Sequence, residues 1–92
     1  MSGDIHLSIS TAYGDSVEKD VDYVRLPTGF GSVGILKGHA HMLCAVAPGE
    51  IDFDKDGHHC HLAVGEGVAT VDAHQVIVLT TSLDAPREED DI

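Results

Sequence analysis

Ninety-two residues with 42% apolar content, two Phe, two Tyr and no Trp make one small domain whose core is built from Val, Ile, Leu and Ala. Five Lys and Arg against sixteen Asp and Glu leave a net charge of −11. This excludes a nucleic-acid binder, which needs basic groups to displace counterions, and sets the chain against an anionic membrane surface. Asp4 and His6 interrupt the N-terminus, so no apolar leader is legible, and no apolar run approaches the ~20 residues of a membrane span. Two cysteines, Cys44 and Cys60, are too few for a disulfide framework and are expected to be free thiols of a soluble protein in a reducing compartment.

The periodicity along the chain is two, the period of a strand. In DIHLSIST, Ile5, Leu7 and Ile9 point one way and His6, Ser8 and Ser10 the other. In VDYVRL, Val21, Tyr23 and Arg25 alternate with Asp22, Val24 and Leu26, so both faces are expected to be partly covered. VGIL (33–36) and MLCAV (42–46) are short apolar runs, and EIDF (50–53) alternates again. HHCHLAV (58–64), GVATV (67–71) and QVIVLT (75–80) complete the series. Turns separate the runs at Gly14-Asp15, Pro27-Thr28-Gly29, Gly38, Pro48-Gly49, Asp54-Lys55-Asp56-Gly57, Gly65 and Asp72-Ala73-His74. Short strands at this spacing predict an all-β sandwich or barrel, and no segment carries a helical stripe. The domain is expected over 1–83, with an acidic, frayed tail over 84–92.

Between EIDF and HHCHLAV, DKDG predicts a hairpin with glycine supplying positive φ. The second strand then carries His58, His59, Cys60 and His61, donors that suit zinc or copper. Alternation places Cys60, Leu62 and Val64 on the core face and His59, His61 and Ala63 outside. At most two imidazoles share a face, which does not close a tetrahedral site, so a polar strand face is the expectation and a metal-binding β protein using His58, His59 and His61 the alternative. GFGSVG (29–34) lacks the Lys-Ser/Thr of a phosphate-binding loop. A third reading, an enzyme with Cys44 as nucleophile and His39 or His41 as base, requires a depressed thiol pKa.

LPTGFGSVGILKGHAHMLCAVAPGEI (26–51), followed by VGEGVATVDAHQVIVLT (64–80), resembles the N-terminal β-domain of the epsilon subunit of F-type ATP synthases. Leu26-Pro27, Gly29, Gly34-Ile35-Leu36, Gly38-His39-Ala40, Leu43 and Pro48-Gly49 carry the match, which extends from the first strand to about Ser82. Lys37 and His41 stand where proline is commoner, Glu66 sits in a glycine pair, Val68 takes the place of Phe, and Ser32 stands where the family often has an acid.

The resemblance implies a flattened β-sandwich of about ten strands in two sheets, and a non-catalytic central-stalk subunit that couples gamma to the membrane c-ring. Its partners would be the gamma subunit, contacted near Ser10, His39, Ala40, Leu43 and Cys44, and the c-ring, contacted by Thr28, Gly29, Phe30, Gly31 and Ser32. It implies no catalytic residue, cofactor or native metal, no nucleic-acid partner and no lipid insertion. The subunit would be monomeric alone, and its place would be the cytoplasmic face of a bacterial plasma membrane, or the organellar equivalent. The family usually continues into a two-helix domain that in some members binds ATP; with Ile92 as the last residue, no ATP binding is expected of this chain.

Overall fold

Along Ile5–Thr11 (β1) the alternation is realised residue by residue, with Ile5, Leu7, Ile9 and Thr11 buried and His6, Ser8 and Ser10 half-exposed. The computed structural model describes residues 4–89, all of whose regular elements are strands. After β1 come Ser16–Val21 (β2), Tyr23–Thr28 (β3), Gly31–Ile35 (β4), Met42–Val46 (β5) and Gly49–Lys55 (β6). His58–Val64 (β7), Gly67–Val71 (β8), Gln75–Thr80 (β9) and Arg87–Glu88 (β10) complete the set. They form two five-stranded sheets, one in the order β2-β1-β9-β8-β5 and the other β10-β7-β6-β3-β4. We call these the first and second sheets. All neighbours are antiparallel except β1 and β9, which run parallel with Leu7 opposite Val76 and Ile9 opposite Val78. The expected sandwich of about ten strands in two sheets is therefore the observed architecture.

The inward faces make one aliphatic core, in which Phe53 is the sole aromatic. Leu7, Ile9, Val76 and Val78 come from the first sheet, and Val24, Leu26, Ile51, Phe53 and Leu62 from the second. Cys60 packs against this core from β7, as alternation requires, and Cys44 packs against it from β5. Both thiols are free.

VDYVRL resolves its two-faced pattern by changing sheets. Val21 ends β2 in the first sheet, and Val24 and Leu26 belong to β3 in the second, yet all three are buried. The bend at Asp22 resets the phase, so that strand segments on opposite sides of the core both turn their apolar residues inward. Asp22 N–H donates to the Asp54 carbonyl at 2.8 Å, and its carboxylate accepts the Asp56 N–H at 3.1 Å, which ties this corner to the β6–β7 hairpin. That hairpin turns on Asp56 (φ 53°) and Gly57 (φ 81°), both left-handed, the geometry an Asp-Gly turn favours. β2, absent from the expected series, is a polar edge strand with only Val17 and Val21 apolar.

At the end of the expected domain Leu83 bridges to Val64, and within the segment expected to fray Arg87–Glu88 pairs with β7 opposite His61 and Cys60. Residues 90–92 of that segment lie outside the described residues.

Candidate functional site

The outward side of the first sheet is where apolar residues remain uncovered. Strand register sets two rows across it. One runs Ala45, Val68, Leu79, Ser10 and Ser16 over β5, β8, β9, β1 and β2. The other runs Leu43, Thr70, Ile77, Ser8 and Glu18 over the same strands. No charged side chain enters either row until β2, and Leu43 (73%), Leu79 (51%), Val68 (49%) and Ile77 (42%) are exposed. A scatter of single exposed apolar residues is ordinary, but a contiguous uncharged patch marks an interface. At one end it runs into a cleft of about 510 Å³ lined by Ala12, Tyr13, Glu66, Gly67, Val68, Leu79, Thr80 and Thr81. Tyr13 stands almost fully exposed at this cleft. Below it, the buried Thr80 hydroxyl lies 2.8 Å from the Gly65 carbonyl oxygen and anchors the β7–β8 connection.

A second exposed feature is the tip of the β3–β4 hairpin. Thr28 Oγ1 lies 2.6 Å from the Gly31 carbonyl and accepts the Phe30 N–H at 3.2 Å, while Gly31 takes φ 114°. This closes a tight turn and leaves Phe30 wholly in solvent, with relative exposure 104%. GFGSVG is thus hairpin and edge strand. The exposed aromatic is its notable group.

The residues singled out from the sequence fall as follows. Ser10 and Leu43 lie on the apolar face. His39 and Ala40 lie in the 36–41 loop leading into β5, where His39 Nδ1 donates to the Ala40 carbonyl at 2.7 Å and Gly38 N–H donates to Ala73. Cys44 turns the other way, against the core, and burial pushes its thiol pKa up, the opposite of what a nucleophile requires. Thr28, Gly29, Phe30, Gly31 and Ser32 are together on the hairpin. Val68, Ile77, Leu79 and Tyr13 were missed. The signal for the first three was present, since GVATV and QVIVLT carry apolar residues in both phases of the alternation, the pattern of a strand covered on both sides.

The outward side of the second sheet is charged. Arg25 grips Asp52 Oδ2 through Nε at 3.1 Å and Nη2 at 2.7 Å. The three neighbouring histidines do not converge. His58 bonds Glu88, and His59 Nδ1 donates to Asp54 at 2.6 Å, a bond that raises the His59 pKa. His61 faces Glu50 and Asp52.

With this geometry in hand, the comparisons are decisive on family. The delta/epsilon-chain β-sandwich domain of ATP synthase matches residues 4–85. The chain belongs to this family. The ATP synthase epsilon chain of Chloroflexus aggregans is 38% identical over 87 residues, covering 95% of this chain and 63% of that protein. The epsilon chain of Thermodesulfovibrio yellowstonii is 30% identical over 90 residues, covering 98% and 64%. The chain therefore spans somewhat less than two thirds of the length of these epsilon chains. Among solved structures, a chain of the Euglena gracilis mitochondrial ATP synthase (OSCP/F1/c-ring) superposes with TM-score 0.80 at 22% identity, covering 94% of this chain and 55% of that one. A chain of the Tetrahymena thermophila central stalk/c-ring assembly gives 0.70 at 15%, covering 90% and 67%. At these identities the structures speak to the fold alone.

Proposed function

We propose that this epsilon-type domain is a non-catalytic rotor subunit of an F-type ATP synthase, joining gamma to the membrane c-ring at the cytoplasmic face of the membrane. The observation that carries the reading is the uncharged face over β5, β8 and β9, where Val68, Leu79, Ile77 and Leu43 stand exposed. This face takes gamma, with Ser10 at its hydroxyl-bearing side and His39 and Ala40 in the adjoining loop. Cys44, turned into the core, supports β5 from beneath and makes no direct contact. The Thr28–Ser32 hairpin takes the c-ring, with Phe30 as the group that enters the partner surface.

Such a joint works by stiffness. Two sheets sharing one close-packed core resist shear, so a force applied at the hairpin reaches the opposite sheet with little lost to deformation. Charge is low where partners bind and high elsewhere, which fits an interface that stays assembled while the rotor turns.

The test is co-purification with tagged gamma from the same organism. The parent chain should elute with gamma in equal amounts. Leu79→Asp, which places a charge in the centre of the apolar face, should retain its strand circular-dichroism spectrum and weaken gamma binding at least ~10-fold. Glu50→Gln, on the opposite sheet, should leave binding unchanged. Undiminished binding by folded Leu79→Asp would overturn the assignment of this face.

A further inference from the structure

We propose that Glu50, Asp52 and His61, on the outward side of the second sheet, form a surface site for a first-row divalent cation such as Zn2+. Glu50 and Asp52 project from alternate positions of β6, and His61 stands directly opposite Asp52 on β7. Each offers one ligand atom, and these atoms lie within 4.8 Å of one another. Zinc bonds to imidazole nitrogen and carboxylate oxygen are about 2.0–2.2 Å long, so ligand atoms arranged tetrahedrally around one ion stand about 3.3–3.6 Å apart. The three donors therefore need to close by at most about 1.5 Å, a movement on the scale of rotating the Glu50 side chain and the His61 ring.

Two further features single out this trio among the histidines and acids nearby. His61 has no hydrogen bond or ion pair to any described residue, so its ring nitrogens are uncommitted, whereas His58 and His59 are bonded to Glu88 and Asp54. Asp52 is only 17% exposed, and Arg25 holds one of its oxygens with two N–H groups. That fixes the plane of the carboxylate and leaves Oδ1 as the ligand atom, supported as ligating carboxylates are from outside the metal shell. Beside it, His59 Nε2 lies 3.9 Å from Asp52 Oδ1, with its other nitrogen bonded to Asp54. His59 thus stands outside the trio, and water would fill the remaining coordination position. The face also carries Arg25 and Arg87, but the carboxylates of Glu50, Asp52, Asp54, Glu88 and Glu89 outnumber them. An ion here ties β6 to β7, on the side of the molecule away from the apolar face, so the site stands or falls independently of the rotor reading.

The experiment is calorimetric titration of the tag-free chain with ZnCl2 at pH 7.5, with imidazole nitrogen NMR to report which histidine responds. One equivalent should bind, and the His61 ring signal should move to saturation at that stoichiometry. His61→Asn should weaken binding about tenfold or more, as should Glu50→Gln, and His58→Asn should change nothing. Circular dichroism confirms that each surface variant is folded. The proposal is overturned if no stoichiometric binding occurs, if His61→Asn binds as tightly as the parent, or if another histidine responds in place of His61.

Discussion

His6 shows how much a single outward residue of β1 takes from its neighbours. Its Nδ1 lies 2.8 Å from Asp20 and its Nε2 3.2 Å from Glu18, both on β2. The Asp20 hydrogen bond is the largest cause of its raised pKa, ahead of the opposing desolvation and the Glu18 bond. The folded state therefore holds the imidazolium proton more tightly than the unfolded chain does. The stabilisation is fully present below the unfolded value near 6.5 and is lost as pH rises through the raised folded value. The pair is largely exposed, so the effect is small and salt-sensitive. His6→Gln should melt below the parent at pH 5.5, and the two melting curves should merge by pH 8.5. A gap that stays constant across that range would show that His6 acts through packing alone.

At the scale of elements, legibility followed burial. β1, β7, β8 and β9 were readable because each has a buried face whose side chains must alternate, and HHCHLAV, GVATV and QVIVLT match the observed strands end to end. β2 was not readable, because an edge strand with one neighbour needs little apolar surface and its pairing with β1 is set by the Thr11–Ser16 turn. Thr11 N–H donates to the Asp15 carbonyl there at 2.9 Å. The β8–β9 pairing hides a tighter constraint. Gly67 sits opposite Thr80, and a Cβ at this position would run into the Leu79 carbonyl oxygen and the Thr80 Cα. Gly67→Ala should lower stability by about 1–3 kcal/mol through backbone displacement. Gly29→Ala, with open space around it and no left-handed φ, should be close to neutral. Urea midpoints measured at constant m-value decide this, and equal midpoints for the two variants would refute the steric account.

Seen whole, the molecule measures 32 × 30 × 26 Å and carries a net charge of −11. In 0.01 M salt the Debye length is about 30 Å, so acids on opposite sides repel one another; in 0.1 M salt it is about 10 Å, and only neighbours interact. The melting temperature should therefore rise between these salt concentrations, because relief of long-range repulsion outweighs the weakening of close pairs such as Arg25–Asp52. A fall would mean that the close pairs dominate. The same charge distribution leaves the face of β5, β8 and β9 bare of ionic groups, so the exposed apolar side chains Leu43, Val68, Ile77 and Leu79 gather on one side of the sandwich.

From its sequence alone, this protein was already an all-β chain of the epsilon type. Alternation is a local property, and the GHA and PG turns with their flanking strands are specific in combination. The inward residues of β1 and β7, the Asp-Gly hairpin and the exposed glycine-rich tip needed no neighbours to be recognised. Tertiary structure alone decided which strands lie side by side. Val68 meets Leu79, and Leu79 meets Ser10, only through the β8–β9 and parallel β1–β9 pairings. Asp52 meets His61 only through the register of β6 on β7. Surfaces and ligand sets of this kind join residues distant along the chain, and they come into being only when long-range pairing and core packing lock one register in place.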